Sequence, residues 1–151
     1  MSANAEPMVS KHFSIYDCPE ADGEGVPVFI LREVDTMGKT QDKLNEVMAL
    51  TVRMRKDYPT ETNAFLSFLN RAESGKALSI REKELINIAL AIAAQCEWCI
   101  AFHVEQAVKG GANRDQIIEA GFMAIIMHGG PAYMYMIPLM DAIEEFLPET
   151  G

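Results

Sequence analysis

Residues 79–103 read SIREKELINIALAIAAQCEWCIAFH, and they contain two helix starts and a pair of cysteines. Ser79 and Glu82 match the Ser-x-x-Glu pattern of a capping box, which predicts that a helix begins there. The apolar residues that follow recur at helical spacing: Leu85, Ile86, Ile88, Ala89, Ile92 and Ala93. A further helix is predicted to begin around Cys96. The stretch therefore predicts two consecutive helices that pack against each other.

The chain before this stretch is also helical from about residue 40. Thr40 is predicted to cap a helix whose apolar residues recur at near-helical spacing, and Pro59 is predicted to end it. A second helix carries Phe65, Leu66, Phe68 and Leu69 and is predicted to stop near Gly75. Residues 1–39 differ, because they are rich in loop-forming residues and contain one short apolar run, 26–31. We interpret them as an N-terminal arm that packs on the body or on a neighbouring subunit.

The chain after the stretch continues the helical pattern. The helix that begins around Cys96 is predicted to end at Gly110, and Asn113 caps the next one with Gln116 in its third position. Gly129-Gly130-Pro131 is predicted to break the chain before a last helix over 132–146. No alternating strand pattern follows residue 31. The prediction is an all-α domain of about six helices over residues 40–151.

Size and charge exclude several classes of function. A chain of 151 residues is the size of one domain, and its formal net charge is −9. Nucleic-acid binding relies on Lys and Arg to displace counterions, so the charge argues against it and against anionic membrane surfaces. No apolar run reaches membrane-spanning length, and the N-terminus does not resemble a secretory signal. The predicted compartment is the cytoplasm, where a disulfide is usually catalytic.

The two cysteines and the histidine after them suggest dithiol chemistry. Cys96 and Cys99 are three positions apart, and His103 follows four positions later, on the same helical face as Cys99. A helix start and a nearby imidazole both favour thiolate, the species that attacks a peroxide or a disulfide. A sulfenic acid formed on one cysteine can condense with the other. Cys18, in an acidic loop, is left without a partner in sequence.

Other readings of the motif stay open. The two cysteines could be buried packing residues in a helix bundle. With His103 they could also supply three zinc ligands, although a structural site needs a fourth, for which the candidates are Cys18, His12, His128 and Glu84. Covalent haem requires histidine directly after the second cysteine, where Ile100 stands. Glu84 itself, from sequence physics alone, reads as a solvated charge near a helix start.

The chain resembles the carboxymuconolactone decarboxylase superfamily, and within it the alkylhydroperoxidase-D-like branch. The matching residues are Leu78-Ser79-x-Arg81-Glu82-Lys83-Glu84-Leu85-Ile86, Cys96-x-x-Cys99-x-x-x-His103, Gly110-Gly111-Ala112 and Gly129-Gly130-Pro131-Ala132. The branch's redox signature has a glutamate twelve residues before the first cysteine, which is the spacing from Glu84 to Cys96.

The resemblance implies a cysteine-based peroxidase or thiol-disulfide oxidoreductase without metal or organic cofactor. Cys99 would be the peroxidatic thiol, Cys96 would resolve it, and His103 and Glu84 would form a proton relay. The substrate would be a hydroperoxide or a disulfide, and the reductant a lipoyl or thioredoxin-like dithiol. The family usually forms trimers or hexamers. The alternatives are a non-enzymatic oligomer that senses redox state or holds zinc, and a decarboxylase-type enzyme on the same fold.

Trp98 departs from the pattern of the alkylhydroperoxidase-D enzyme proper, which has histidine immediately before the second cysteine. The relay is therefore reduced, and Trp98 would instead form an apolar wall. Decarboxylase members typically lack the paired cysteines, which disfavours lactone decarboxylation.

Five methionines lie close together in sequence near the end of the chain: Met123, Met127, Met134, Met136 and Met140. We interpret them as adaptable packing residues of a core or a subunit interface, in preference to the lining of an apolar channel for the hydroperoxide.

Overall fold

The computed structural model describes residues 38–148, and within them the chain forms seven helices with no β-strand. The helices are α1 (Lys39–Asp57), α2 (Pro59–Glu73), α3 (Ile80–Ala93), α4 (Glu97–Lys109), α5 (Arg114–His128), α6 (Gly130–Met134) and α7 (Met136–Phe146). The all-α prediction is confirmed. The predicted arm over residues 1–39, its apolar run and Cys18 lie almost wholly outside the described residues, so the domain division stays a prediction.

The centre of the bundle is the pair α3 and α4. α5 packs on α3, α7 packs on α4, and α1 packs on both α4 and α2. The side chains without solvent exposure at this centre are aliphatic: Ile88, Ile92, Ile100, Val104, Ile117, Leu139 and Ile143. Each such burial stabilises the fold by about 1.5–3 kcal/mol relative to an exposed side chain. The two central helices are therefore held by packing on both of their sides.

Local sequence signals set several of the helix ends. Ser79 and Glu82 form a capping box at the start of α3, and Asn113 and Gln116 form another at the start of α5. In each box the N-cap side chain accepts from the N–H of the third helical residue, and the side chain of that residue accepts from the N-cap N–H. Two otherwise unpaired donors are thereby satisfied. Gly110 is the C-cap of α4. These predicted boundaries are confirmed.

The prediction that Thr40 caps α1 is wrong. α1 begins at Lys39, with Gly38 at the N-cap and no capping side chain of its own. A glutamate on α7 takes that role, because the Glu145 carboxylate accepts from the backbone N–H groups of Thr40 (3.1 Å) and Gln41 (2.9 Å). Thr40 is buried inside the helix instead.

The single last helix predicted over 132–146 is also wrong, because the chain forms α6 and α7 with Tyr135 between them. Pro138 explains the break. Its ring would clash with the carbonyl of residue 134 in a continuous helix, whereas at the third position of α7 its missing N–H costs no hydrogen bond. The predicted break at Gly129 is confirmed, and its φ of 63° and ψ of −142° are open almost only to glycine.

The late methionines divide into two groups. Met136 and Met140 pack against the core, as the packing interpretation predicts. Met136 also lies over Gly121 of α5, where an added Cβ would come within 2.7 Å of the Met136 sulfur, so this glycine lets α7 approach α5 closely. Met123, Met127 and Met134 are exposed.

None of the described helices is long and apolar enough to span a bilayer.

Candidate active site

The turn between α3 and α4 places the first cysteine at a helix N-terminus. The Cys96 N–H donates to the Ala91 carbonyl (3.1 Å) and the Gln95 N–H donates to the Ile92 carbonyl (3.1 Å). This is the Schellman pattern of a helix end, and the residue in the left-handed conformation is Gln95, with φ of 57°, where glycine is usual. Because the turn is this short, α4 starts immediately, with Cys96 as its N-cap.

Cys96 and Cys99 are joined by a disulfide within the first turn of α4. Their Cα atoms are 5.3 Å apart, inside the usual range for a disulfide. The Cys96 sulfur also accepts from the Cys99 backbone N–H (3.2 Å), as a capping oxygen would. Both cysteines are half-buried. In the dithiol state a thiolate at this N-cap would be stabilised by the same N–H and by the helix dipole.

Glu84 is buried and bonded to His103, so the interpretation of Glu84 as a solvated charge is wrong. It is 6% exposed, and its Oε2 lies 2.7 Å from Nδ1 of His103. An ionised carboxylate only accepts, so Nδ1 carries the hydrogen and Nε2 of a neutral ring keeps a free lone pair. The imidazole is mostly buried, with a fifth of its side chain exposed, and makes an edge contact with Phe102.

Helical spacing explains why these two side chains meet. Glu84 occupies the same stripe of α3 as the buried residues Ile88, Ala91 and Ile92, and this stripe faces α4. His103 lies one turn after Cys99 on α4. A glutamate in register with an apolar stripe was therefore a sequence signal that pointed to burial. The structure joins Glu84 to His103 and Cys96 to Cys99.

The two residues between the cysteines contact α1, and no sequence pattern predicts these contacts. The Trp98 indole N–H donates to Oε2 of Glu46 (2.6 Å), and Glu97 forms an ion pair with Lys43 (3.4 Å). Trp98 is 47% exposed, so its ring lies at the surface beside the disulfide. The apolar wall predicted for Trp98 stays a prediction. No sequence pattern links positions 52 residues apart, so Glu46 could not have been found in advance.

Of the remaining candidate zinc ligands, only His128 lies in the described part of the chain, and it does not join this site. Among residues 38–148 no three His, Cys, Asp or Glu side chains are placed to share a metal ion. His128 is exposed at the end of α5, and His12 and Cys18 lie outside the described part of the chain. An open apolar groove between α3 and α5 lies on the side of α3 away from Glu84, lined by Leu85, Ile86, Ala89, Leu90, Phe122 and Met123.

Known proteins share this architecture. The profile of the carboxymuconolactone decarboxylase family matches residues 59–142. A crystal structure of a carboxymuconolactone decarboxylase family protein from Legionella pneumophila, in its apo form, superposes with a TM-score of 0.68 at 37% identity, over 72% of this chain and 96% of that one.

Two curated relatives are similar in sequence. Uncharacterized protein 4 in the cox locus of Paracoccus denitrificans is 37% identical over 83 residues, which is 55% of this chain and 75% of that protein. An uncharacterized protein of Cupriavidus necator is 33% identical over 93 residues, or 62% of this chain and 82% of that protein.

The fold and the site define an all-helical protein with a Cys-x-x-Cys turn at one helix start and a buried Glu–His pair behind it. The chain belongs to the carboxymuconolactone decarboxylase family.

Proposed function

We propose that the protein is a thiol–disulfide oxidoreductase that reduces alkyl hydroperoxides through Cys99 and Cys96. The observation that carries the proposal is the bond between Glu84 and His103, one helical turn from a cysteine that pairs with Cys96. A base oriented by a buried carboxylate and a thiol beside it is the usual construction of an activated nucleophile. No metal or organic cofactor takes part.

The reaction begins with proton transfer from the Cys99 thiol to the free nitrogen of His103. The Cys99 thiolate attacks the outer oxygen of the hydroperoxide, an S–O bond forms, and the O–O bond breaks. The leaving alkoxide takes the proton from the imidazolium and departs as the alcohol. Glu84 stabilises the imidazolium while the charge is present, because a carboxylate within hydrogen-bond distance favours the charged ring.

The second half-reaction forms the disulfide. The Cys96 thiol attacks the sulfenic sulfur of Cys99, an S–S bond forms, and water leaves. In sum, two thiols and one hydroperoxide give a disulfide, an alcohol and water, so the thiols supply both electrons. A dithiol reductant of the lipoyl or thioredoxin-like class then returns the pair to thiols by exchange, and is itself oxidised to a disulfide.

The test is a count of thiols after one turnover. Reduced protein receives one equivalent of an organic hydroperoxide, and the surviving thiols are alkylated and mapped by mass spectrometry. We expect loss of two thiols as a Cys96–Cys99 disulfide, and the single tryptophan, Trp98, should report the step by fluorescence. Cys99→Ser should abolish the reaction, Cys96→Ser should accumulate a sulfenic acid, and Cys18→Ser is the matched control.

Other results would point to the alternative functions. If both thiols survive excess hydroperoxide, the peroxidase proposal is wrong, and a disulfide substrate becomes the next one to test. Stoichiometric zinc held by Cys96 and Cys99 would favour a zinc-holding or redox-sensing oligomer. An activity that persists with both cysteines replaced by serine would favour decarboxylase-type chemistry on this fold.

We further infer that the protein works as a homo-oligomer, a trimer or a hexamer, in the cytoplasm. The support is a run of large apolar side chains that the described chain leaves exposed on α5 to α7: Phe122, Met123, Ile126, Met127, Tyr133, Met134 and Ile137. Large exposed apolar surface often marks a site of contact with another protein chain. Light scattering of the purified protein measures the subunit number, and a monomer at micromolar concentration would contradict the inference.

A further inference from the structure

Both residues between the two cysteines are held by the same face of α1. Lys43 and Glu46 are three positions apart on that helix; Lys43 pairs with Glu97 and Glu46 accepts from the Trp98 indole. We call these four residues the α1 clamp. The carboxylate–indole contact, at 2.6 Å, is short for an N–H···O bond, as charge-assisted hydrogen bonds are. The clamp therefore contacts the turn that must close to form the disulfide.

The clamp rests on a helix that is itself fixed to the bundle. Leu44, next to Lys43, is buried. The first turn of α1 is held from α7, where Glu145 accepts the N–H groups of Thr40 and Gln41. A side chain on a fixed helix restricts its partner more than a side chain on a mobile segment does. The fixed helix is already ordered, so little further ordering is needed when the contact forms.

We propose that Lys43 and Glu46 are positioning residues that set the equilibrium between the Cys96–Cys99 dithiol and its disulfide. The inference rests on the proposed redox function, in which this pair cycles. A disulfide needs Cα atoms about 4.4–6.8 Å apart, and the clamped turn has them at 5.3 Å. A clamp that keeps this spacing in the dithiol raises the effective concentration of one thiol at the other. Oxidation is then favoured.

The negative charges near the turn favour the disulfide, as the spacing kept by the α1 clamp does. Glu46 and Glu97 bring carboxylates to the turn, and a nearby like charge disfavours the thiolate form of the reduced pair. Lys43 offsets part of this through its ion pair with Glu97. One variant must therefore separate the hydrogen bond from the charge. Glu46→Gln does so, because its amide oxygen can still accept from the indole.

The clamp and the disulfide must also stabilise each other equally. If the bond from Trp98 to Glu46 favours the disulfide by some factor, the disulfide favours that bond by the same factor. Reduction of Cys96–Cys99 should therefore loosen the contact with α1. The first half of α1 is then expected to exchange its amide hydrogens faster in the reduced protein than in the oxidised protein.

The experiment is a redox titration of the full-length protein in thiol–disulfide buffers, read from Trp98 fluorescence in the wild type and from alkylation in every variant. We expect Glu46→Leu and Trp98→Phe to lower the equilibrium constant for disulfide formation five- to tenfold, which is about 20–30 mV for this two-electron couple. Glu46→Gln should stay within twofold of the wild type. Asp57→Leu, which breaks the exposed pair with Arg53 on the same helix, is the matched control and should not change the constant.

Three outcomes would overturn the inference. One is an unchanged constant in Glu46→Leu, with the variant shown to be folded by circular dichroism. Another is an equal fall in Glu46→Gln and Glu46→Leu, which would assign the effect to charge alone. The third is identical hydrogen exchange of α1 in the oxidised and reduced wild type. Failure of the peroxidase proposal is separate, because it appears as unreactive wild-type thiols towards hydroperoxide and the titration uses none.

Discussion

Nδ1 of His103 lies 2.7 Å from Oε2 of Glu84, and this contact joins the two central helices of the bundle. A buried carboxylate requires a partner, since an isolated charge is costly away from water. The imidazole supplies that partner. In the proposed mechanism its second nitrogen accepts the proton of Cys99, which lies one turn earlier on the same helix. One contact therefore gives the buried carboxylate its partner and holds the imidazole in one orientation, which the proposed proton transfer uses.

Replacing Glu84 with glutamine is expected to slow the reaction of Cys99 with hydroperoxide about 100-fold. The amide still accepts from Nδ1, so the ring keeps its orientation, but it no longer stabilises the imidazolium. Stopped-flow measurement of Trp98 fluorescence gives the rate constant. Glu119→Gln, an exposed glutamate on α5, is the control. A Glu84→Gln rate within threefold of the wild type would remove the carboxylate from the mechanism.

The capping box of α3 is expected to make stability depend on pH. The hydrogen bond from the Ser79 hydroxyl, and then that from its backbone N–H, lower the pKa of Glu82 below its ordinary value. A depressed folded-state pKa means that folding favours the ionised form. The contribution is therefore present above the unfolded pKa of about 4.3 and is lost as the pH falls through the lower folded value.

Glu82→Gln measures this contribution. The difference in free energy of unfolding between the wild type and Glu82→Gln should shrink as the pH is lowered from 7 to 3, measured by urea denaturation at each pH. Asp115→Asn, on the exposed first turn of α5, is a control for general charge effects. A difference that grows on acidification would contradict the assigned sign.

Features encoded within a few residues could be read from the sequence. Ser79 with Glu82, and Asn113 with Gln116, act across one helical turn, so their patterns located the starts of α3 and α5. The disulfide pair belongs to the same class, because its two cysteines are three positions apart. Burial of Glu84 was also readable, since it falls in register with the apolar stripe of α3.

Features that depend on distant residues could not be read. Thr40 matched a cap residue, but the donors at the start of α1 are satisfied by Glu145, 105 positions away. The contact of Trp98 with Glu46 is likewise set by how α1 packs on α4. The break at Tyr135 was within reach of local reasoning, because Pro138 excludes a continuous helix there.

Loss of the Glu145 carboxylate is expected to release the start of α1. Glu145→Leu leaves the N–H groups of Thr40 and Gln41 without their acceptor, at a cost of about 1–2 kcal/mol in the free energy of unfolding. Glu144→Leu changes the exposed neighbour and is the control. Denaturant unfolding gives the energy, and hydrogen exchange of the first turn of α1 locates it. Equal stability of the two variants would mean that solvent caps the helix as well as Glu145 does.

Gln95 is expected to be a site of stored backbone strain whose relief stabilises the protein. A left-handed conformation costs a residue with a Cβ about 1–2 kcal/mol, and glycine loses about 0.5–1 kcal/mol more chain entropy on folding. Gln95→Gly should therefore raise the free energy of unfolding by about 0.5–1 kcal/mol and the melting temperature by about 1–4 °C. Gln95→Ala keeps the Cβ, and so the strain, and should show no such gain.

The redox consequence of Gln95→Gly tests whether this strain affects the cysteines. Gln95 directly precedes Cys96, and its N–H bond to Ile92 belongs to the turn that sets the N-cap of α4. If the turn only connects the helices, the gain in stability should be equal in the oxidised and reduced protein. A larger gain in one redox state would show that the strain is distributed unequally between disulfide and dithiol. Thermal unfolding with and without reductant distinguishes the two cases.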